Sequence, residues 1–312
     1  MSVRATPFEW FIFLALGVMW GSSYLFIKLA VDSFGTFTLI AFRLLIGAAF
    51  LWLVVVMSRQ TLPRDRKIYG HLLVMAIINI TIPFTLITWA EQSVDSALAA
   101  IINATVPLFV LVIAPMFLPE EPIRVNGVVG LAVGFMGVVL IVSPGLTAAD
   151  GDTLGELALL GSSLTYAIGN VYNRRNVRGL APLIPAVFQV TFALLIVGGL
   201  ALILERPWET AQPDAQAWFS VIWLGIFGSG MAYLVYFRLL GRWGATRTAL
   251  VAYLLPVVGI VLGYLVLQEP IGPSLLAGTA LITVGVALVN GRWGRRALYG
   301  RTPPVETVPT AR

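Results

Sequence analysis

Blocks of about 20 mostly apolar residues begin at Phe8 and follow one another to about residue 291. A helix needs roughly 20 such residues to cross the hydrocarbon core of a bilayer, and it satisfies its own backbone polar groups while doing so. Outer-membrane strands would show ~10-residue alternating segments instead, and none occur here. Of 312 residues, 58% are hydrophobic and 11% charged, against about 25% charged in soluble domains. A single soluble core stops growing near ~250–300 residues, so no water-soluble fold would hide this much apolar surface. The chain reads as an all-α polytopic membrane protein.

Ten transmembrane helices are expected, near 8–30, 36–57, 69–89, 94–116, 123–143, 154–174, 182–204, 217–237, 247–267 and 272–291. The first block is longer than the ~7–15-residue core of a signal peptide and lacks a small-residue cleavage pattern, so it is expected to span. Residues 292–312 are basic, carry Pro303, Pro304 and Pro309, and are expected to form a disordered cytoplasmic tail.

Loop charges set the orientation. With the N-terminus inside, 17 of the 20 basic residues fall in cytoplasmic segments, Lys28 and Arg206 fall outside, and Arg43 lies within the second span. Both termini are then cytoplasmic. This distribution also accounts for the net charge of +5 without nucleic acid as a partner. There is no cysteine and a single histidine, His71, which excludes disulfides, thiolate metal sites and histidine-based metal clusters. No cofactor is expected.

The two halves resemble each other. Trp20-Gly21 and Lys28 align with Tyr166-Ala167 and Arg174, and Pro107 aligns with Pro256. Glu121-Pro122-Ile123 aligns with Glu269-Pro270-Ile271, followed by Gly130 and Gly137 against Gly278 and Gly285. The units are residues 8–143 and 154–291. Five crossings are an odd number, so the second unit enters the membrane the other way up, with Glu121 inside and Glu269 outside. Inverted repeats build alternating-access transporters, whose substrate site lies near the midplane between the repeats.

The Trp20-Gly21-Ser22-Ser23 start, Lys28, Arg43 and the two Pro…Glu-Pro-Ile…Gly-x6-Gly passages resemble the drug/metabolite transporter superfamily, in its branch with two EamA-type domains. The resemblance covers residues 10–291 and is strongest to YddG-type aromatic amino-acid exporters. It implies a carrier in the cell (inner) membrane that exports small metabolites, most plausibly neutral or aromatic amino acids. Tyr166 departs from the pattern, standing where the family usually has tryptophan.

Span midpoints give candidate residues independently of that resemblance. They are Trp20, Asn79, Asn103 to Thr105, Thr165 and Tyr166, Gly228-Ser229-Gly230, Tyr253 and Pro256. Tryptophan and tyrosine prefer membrane interfaces, and asparagine in hydrocarbon needs a partner, so mid-depth clustering is unexpected for lipid-facing helices. Trp20 and Tyr24, and Tyr166 and Asn170, are four apart and share helical faces. The substrate-binding candidates are Trp20, Tyr24, Asn79, Asn103, Tyr166, Asn170 and Tyr253, set against the alternative that asparagines here tie helices together. Pro83, Pro107 and Pro256 each free a backbone carbonyl and are candidate hinges. Gly130, Gly137, Gly278 and Gly285 read as close-packing faces. Arg43 is placed in the outer third of its span, either paired with a loop carboxylate such as Glu91 or Asp95 or serving function.

The leading expectation is a monomeric secondary transporter working by facilitated diffusion or exchange, because no ionisable relay stands at mid-depth. The alternatives are a carrier of nucleotide sugars, sugar phosphates, polyamines or drugs, a channel, or an intramembrane enzyme. Phosphorylated anions would call for deep basic residues. An enzyme would need a constellation of catalytic groups at depth that the chain does not contain, and a channel is disfavoured by the repeat.

Overall fold

Thr6 opens the first helix with a reciprocal cap. Its hydroxyl accepts from the Glu9 amide, and the Glu9 carboxylate accepts from the Thr6 amide, which satisfies two of the donors left free at a helix start. The computed structural model describes residues 6–118, 123–147, 153–177, 179–248, 251–252, 254–290 and 297–299.

The helical segments are α1 (Pro7–Phe34), α2 (Thr36–Ser58), α3 (Arg66–Ala90), α4 (Ser96–Phe117), α5 (Val125–Thr147), α6 (Thr153–Asn176), α7 (Leu183–Glu205), α8 (Ala215–Leu239, continuing to Thr248), α9 (Leu254–Leu267) and α10 (Pro273–Asn290). Among the described residues, α1, α2, α3, α4, α7 and α8 are long and apolar enough to cross a membrane, and α5, α9 and α10 contain shorter apolar runs. Helix α6 carries Glu156, Arg174 and Arg175 along with several hydroxyls. Glu156, Ser162 and Ser163 are buried where the helix packs against α3 and α4, and Arg174 and Arg175 are exposed in its last turn.

Two expectations need correcting. Helix α8 runs on to Thr248, so Arg238 and Arg242 extend a helix instead of occupying a loop. The tail is not wholly without structure. A two-residue strand, β1 (Ile123–Arg124), pairs antiparallel with β2 (Ala297–Tyr299) from the tail. The remaining tail residues, like Glu121 and Asp150, lie outside the described residues.

Packing follows a regular scheme. Helix α2 packs on α7, α5 on α10 and α4 on α9. Helix α1 meets α8 and α9 while α6 meets α3 and α4, and α2 meets α8 while α7 meets α3. Exchanging each helix with the one five places along leaves this set of partners unchanged. The α5–α10 contact is the tightest for a simple steric reason. A methyl group on Gly137 would lie 2.7 Å from the Gly278 carbonyl oxygen, and one on Gly285 would lie 2.5 Å from the Gly134 nitrogen. Small residues let backbones approach where no hydrophobic force separates helix from lipid.

Two glutamates tie the halves together by capping helices in trans. Glu205, at the end of α7, accepts from the Phe37 and Thr38 amides at 2.9 and 2.7 Å. Glu269, just past α9, accepts from the Ser96 and Ala97 amides at 2.8 and 3.0 Å. A carboxylate complements the free N–H groups and the positive dipole end of each helix. The residue beside each glutamate, Arg206 or Gln268, adopts left-handed backbone, ending the helix so that the carboxylate can turn back.

Candidate functional site

Gly47, the midpoint of α2, lies against Ser229 of α8, where a Cβ on the glycine would stand 3.0 Å from the serine Cβ. Arg43 sits one turn earlier on the same face. Its Nε donates to Ser229 Oγ at 2.8 Å, and its guanidinium carbon stands 4.2 Å from the Phe84 ring centroid on α3. Only 5% of Arg43 is exposed. The phenols of Tyr166 on α6, Tyr233 on α8 and Tyr24 on α1 all lie within its electrostatic reach. Five helices therefore converge on one cation. Gly228 permits this, because a side chain there would meet Arg43 Nη2 at 3.2 Å and Ser23 Oγ at 3.0 Å. A cation over an aromatic face gains about 2 kcal/mol when desolvated.

This corrects the sequence-based reading of Arg43. It reaches across to the centre of α8, and among the described residues no carboxylate lies within ion-pair distance of it. Glu91 feels its charge but forms no hydrogen bond to it. Both Glu91 carboxylate oxygens are buried without partners, and Lys28 donates instead to the Glu91 and Val94 carbonyls at 2.8 and 3.1 Å.

The other candidates divide. Tyr24 and Tyr166 lie within electrostatic reach of Arg43. Trp20 packs on α8, with ring centroids 5.3 Å from Tyr236 and 6.3 Å from Tyr233. Tyr233 thus joins Trp20 to the Arg43 cluster. Asn79 lies in a π-helical turn, Ile77–Thr81, and its amide reaches Gln189 Oε1 on α7 at 3.4 Å, a long bond. Asn103 donates to Ser162 Oγ at 3.3 Å and serves the α4–α6 contact. Asn170 is half-buried. Tyr253 lies outside the described residues.

The prolines mark irregular backbone. Pro83 follows the π-helical turn of α3. Pro107 stands in the first turn after α4 breaks at Ala104–Thr105. Pro256, buried, stands in the first turn of α9. Of the four π-helical stretches among the described residues, two close the ends of α7 and α9 and the longest, Leu224–Met231, contains Ser229, so α3 and α8 both carry a widened turn within their length. Such bulges are frequent at functional sites.

Sequence reasoning left Arg43 open between a structural and a functional role, placed Ser229 at a span midpoint without a binding role, and passed over Tyr233 and Gln189. Gln189, 2% exposed on α7, carried a readable signal as a lone amide in an apolar span. Among the described residues no group of three or more potential metal ligands gathers.

Known proteins share this architecture. The EamA-like transporter family profile matches the chain twice, over residues 8–143 and 153–291. The uncharacterized transporter YvbV of Bacillus subtilis is 29% identical over 88% of this chain and 89% of its own length. YoaV, another uncharacterized transporter of that organism, is 24% identical over 91% and 97%. The uncharacterized inner membrane transporter YedA of Escherichia coli K12 is 28% identical over 80% and 79%. A solved crystal structure superposes with a TM-score of 0.65 at 21% identity, covering 91% of this chain and 96% of the other. With two profile matches spanning nearly all of its length, the chain belongs to the EamA-like transporter family.

Proposed function

We propose that the protein is an exporter of small organic metabolites, with neutral and aromatic amino acids as its main substrates, in the cell (inner) membrane. Two inverted five-helix halves rock around a shared site and expose it to each side in turn. The observation carrying this reading is the polar and aromatic cluster of Arg43, Ser229, Tyr24, Tyr166 and Tyr233, drawn from four helices of both halves into an otherwise apolar bundle. Polar and charged groups at membrane depth mark substrate pathways by default. The exchange symmetry of the helix packing supports two related halves, and their odd number of crossings implies inversion.

Aromatic walls at Trp20, Tyr24 and Tyr166 suit apolar side chains, and aromatic pairs add roughly 0.5–1.5 kcal/mol beyond area burial. Such a pocket separates substrates differing by a methylene by only ~1–3 kcal/mol, so several amino acids should be carried. Asn79 with Gln189 supplies amide donors and acceptors. Pro83, Pro107 and Pro256 serve as hinges at the irregular segments. The protein acts as a monomer with both termini cytoplasmic, by facilitated diffusion or exchange, because among the described residues the cluster holds no carboxylate or histidine to relay a proton. Uptake into proteoliposomes with amino-acid, polyamine and nucleotide-sugar panels tests the reading. Amino acids should move, and movement of polyamines or nucleotide sugars alone would refute it.

A further inference from the structure

A guanidinium carries five N–H donors in a rigid plane. In Arg43 the Nε–H donates to Ser229 Oγ, and the Phe84 ring covers one face. Among the described residues, no acceptor reaches either terminal amino group. The side chain is 5% exposed, so it is removed from water without a partner anion. Glu91 does not fill that place. Its charge acts on Arg43 only at a distance, and its carboxylate oxygens form no hydrogen bond to the guanidinium. Buried charges in proteins are normally paired, because an unpaired one is strongly unfavourable.

The two free amino groups form a fork matching the two oxygens of a carboxylate. Fixing Nε on Ser229 orients that fork, and Gly228 lets the α8 backbone pack close beside it, since a Cβ there would stand 3.2 Å from Nη2. The phenols of Tyr24, Tyr166 and Tyr233 lie within electrostatic reach of the same guanidinium and carry hydroxyl donors of their own. We propose that Arg43 receives the carboxylate of the transported solute, so that the site selects carboxylates over cationic amines. This rests on the transport reading above and deepens it. Ser229 is then a positioning residue, acting through the orientation of Arg43.

Four probes separate the chemistry: L-phenylalanine, 3-phenylpropionate (carboxylate without ammonium), phenethylamine (ammonium without carboxylate) and phenyl phosphate. Binding is measured on the purified full chain in detergent by thermal shift and calorimetry. The wild type should bind L-phenylalanine and 3-phenylpropionate, and bind phenethylamine at least tenfold more weakly. Arg43→Gln should lose tenfold or more in affinity for both carboxylates while phenethylamine is unaffected. Arg43→Lys should keep part of the preference, and it carries the test if Arg43→Gln does not run monodisperse. Ser229→Ala should weaken carboxylate binding several-fold and leave phenethylamine unchanged.

Equal wild-type binding of phenethylamine and 3-phenylpropionate would overturn the proposal. So would unchanged carboxylate affinity in both Arg43 variants, binding of phenyl phosphate alone, or no binding of any probe. The transport reading fails separately. If 3-phenylpropionate binding depends on Arg43 while no amino acid is carried, the carboxylate assignment stands and the amino-acid reading falls. If L-phenylalanine is carried with full affinity by Arg43→Gln, the reverse holds.

Discussion

Tyr233 links the two aromatic positions equivalent by repeat. Trp20 rests on Tyr236 and Tyr233, while Tyr166, its counterpart in the second half, lies within electrostatic reach of Arg43. Under the proposed function, Trp20→Ala and Tyr166→Ala should each cut transport in proteoliposomes tenfold or more without loss of expression. Trp208→Ala, an exposed tryptophan after α7, should have little effect. Wild-type rates in both site variants would remove the aromatic pocket. Asn103→Ala should behave differently, lowering the melting temperature by the worth of an interhelical amide bond, about 0.6–2 kcal/mol, with transport retained. These roles were only partly legible in the sequence. Counting depth along single spans identified Trp20 and Tyr166 but put Arg43 too far out. It carries no information on the offset between α2 and α8, which the Gly47–Ser229 contact fixes. Tyr233 escaped notice because it lies one and a half turns past the middle of its span and enters the cluster only through that packing.

At the scale of elements, the midspan irregularities matter more than the regular helix around them. Helices α3 and α8 carry a widened turn within their length, and α4 breaks just before Pro107. Proline in a helix removes a hydrogen bond and bends the chain, so Pro107 and Pro256 were readable as candidate hinges from sequence. The π-helical turns were not, because a widened turn keeps the same apolar composition as its neighbours. Nor were the trans caps. Glu205 and Glu269 look like ordinary boundary charges until folding brings them to the first amides of α2 and α4. Replacing Pro107 or Pro256 with alanine should stiffen the break and slow transport several-fold while the melting temperature is held or raised. Unaltered transport in both variants would make these prolines merely tolerated.

For the whole molecule, the apolar blocks made the helical class and the approximate span positions legible, since hydrocarbon leaves few other structures available. The partners of each helix were not legible, because nearly uniform apolar surfaces carry little directional information. Single-cysteine labelling tests the inverted arrangement cleanly, since the native chain has no thiol. A cysteine at position 121 should react with impermeant reagent only from the cytoplasm, and one at position 271, exposed in the loop after α9, only from outside. Reaction of both from one side would end the inverted reading. The central claim is that a carboxylate-bearing solute crosses on a site exposed alternately to the two faces, and counterflow in proteoliposomes tests it most directly. Vesicles preloaded with unlabelled L-phenylalanine should take up labelled L-phenylalanine severalfold faster than empty ones, with no need of a pH gradient, and Arg43→Gln should abolish the difference. Uptake no faster than in protein-free vesicles, or accumulation driven solely by an imposed pH difference, would contradict the account.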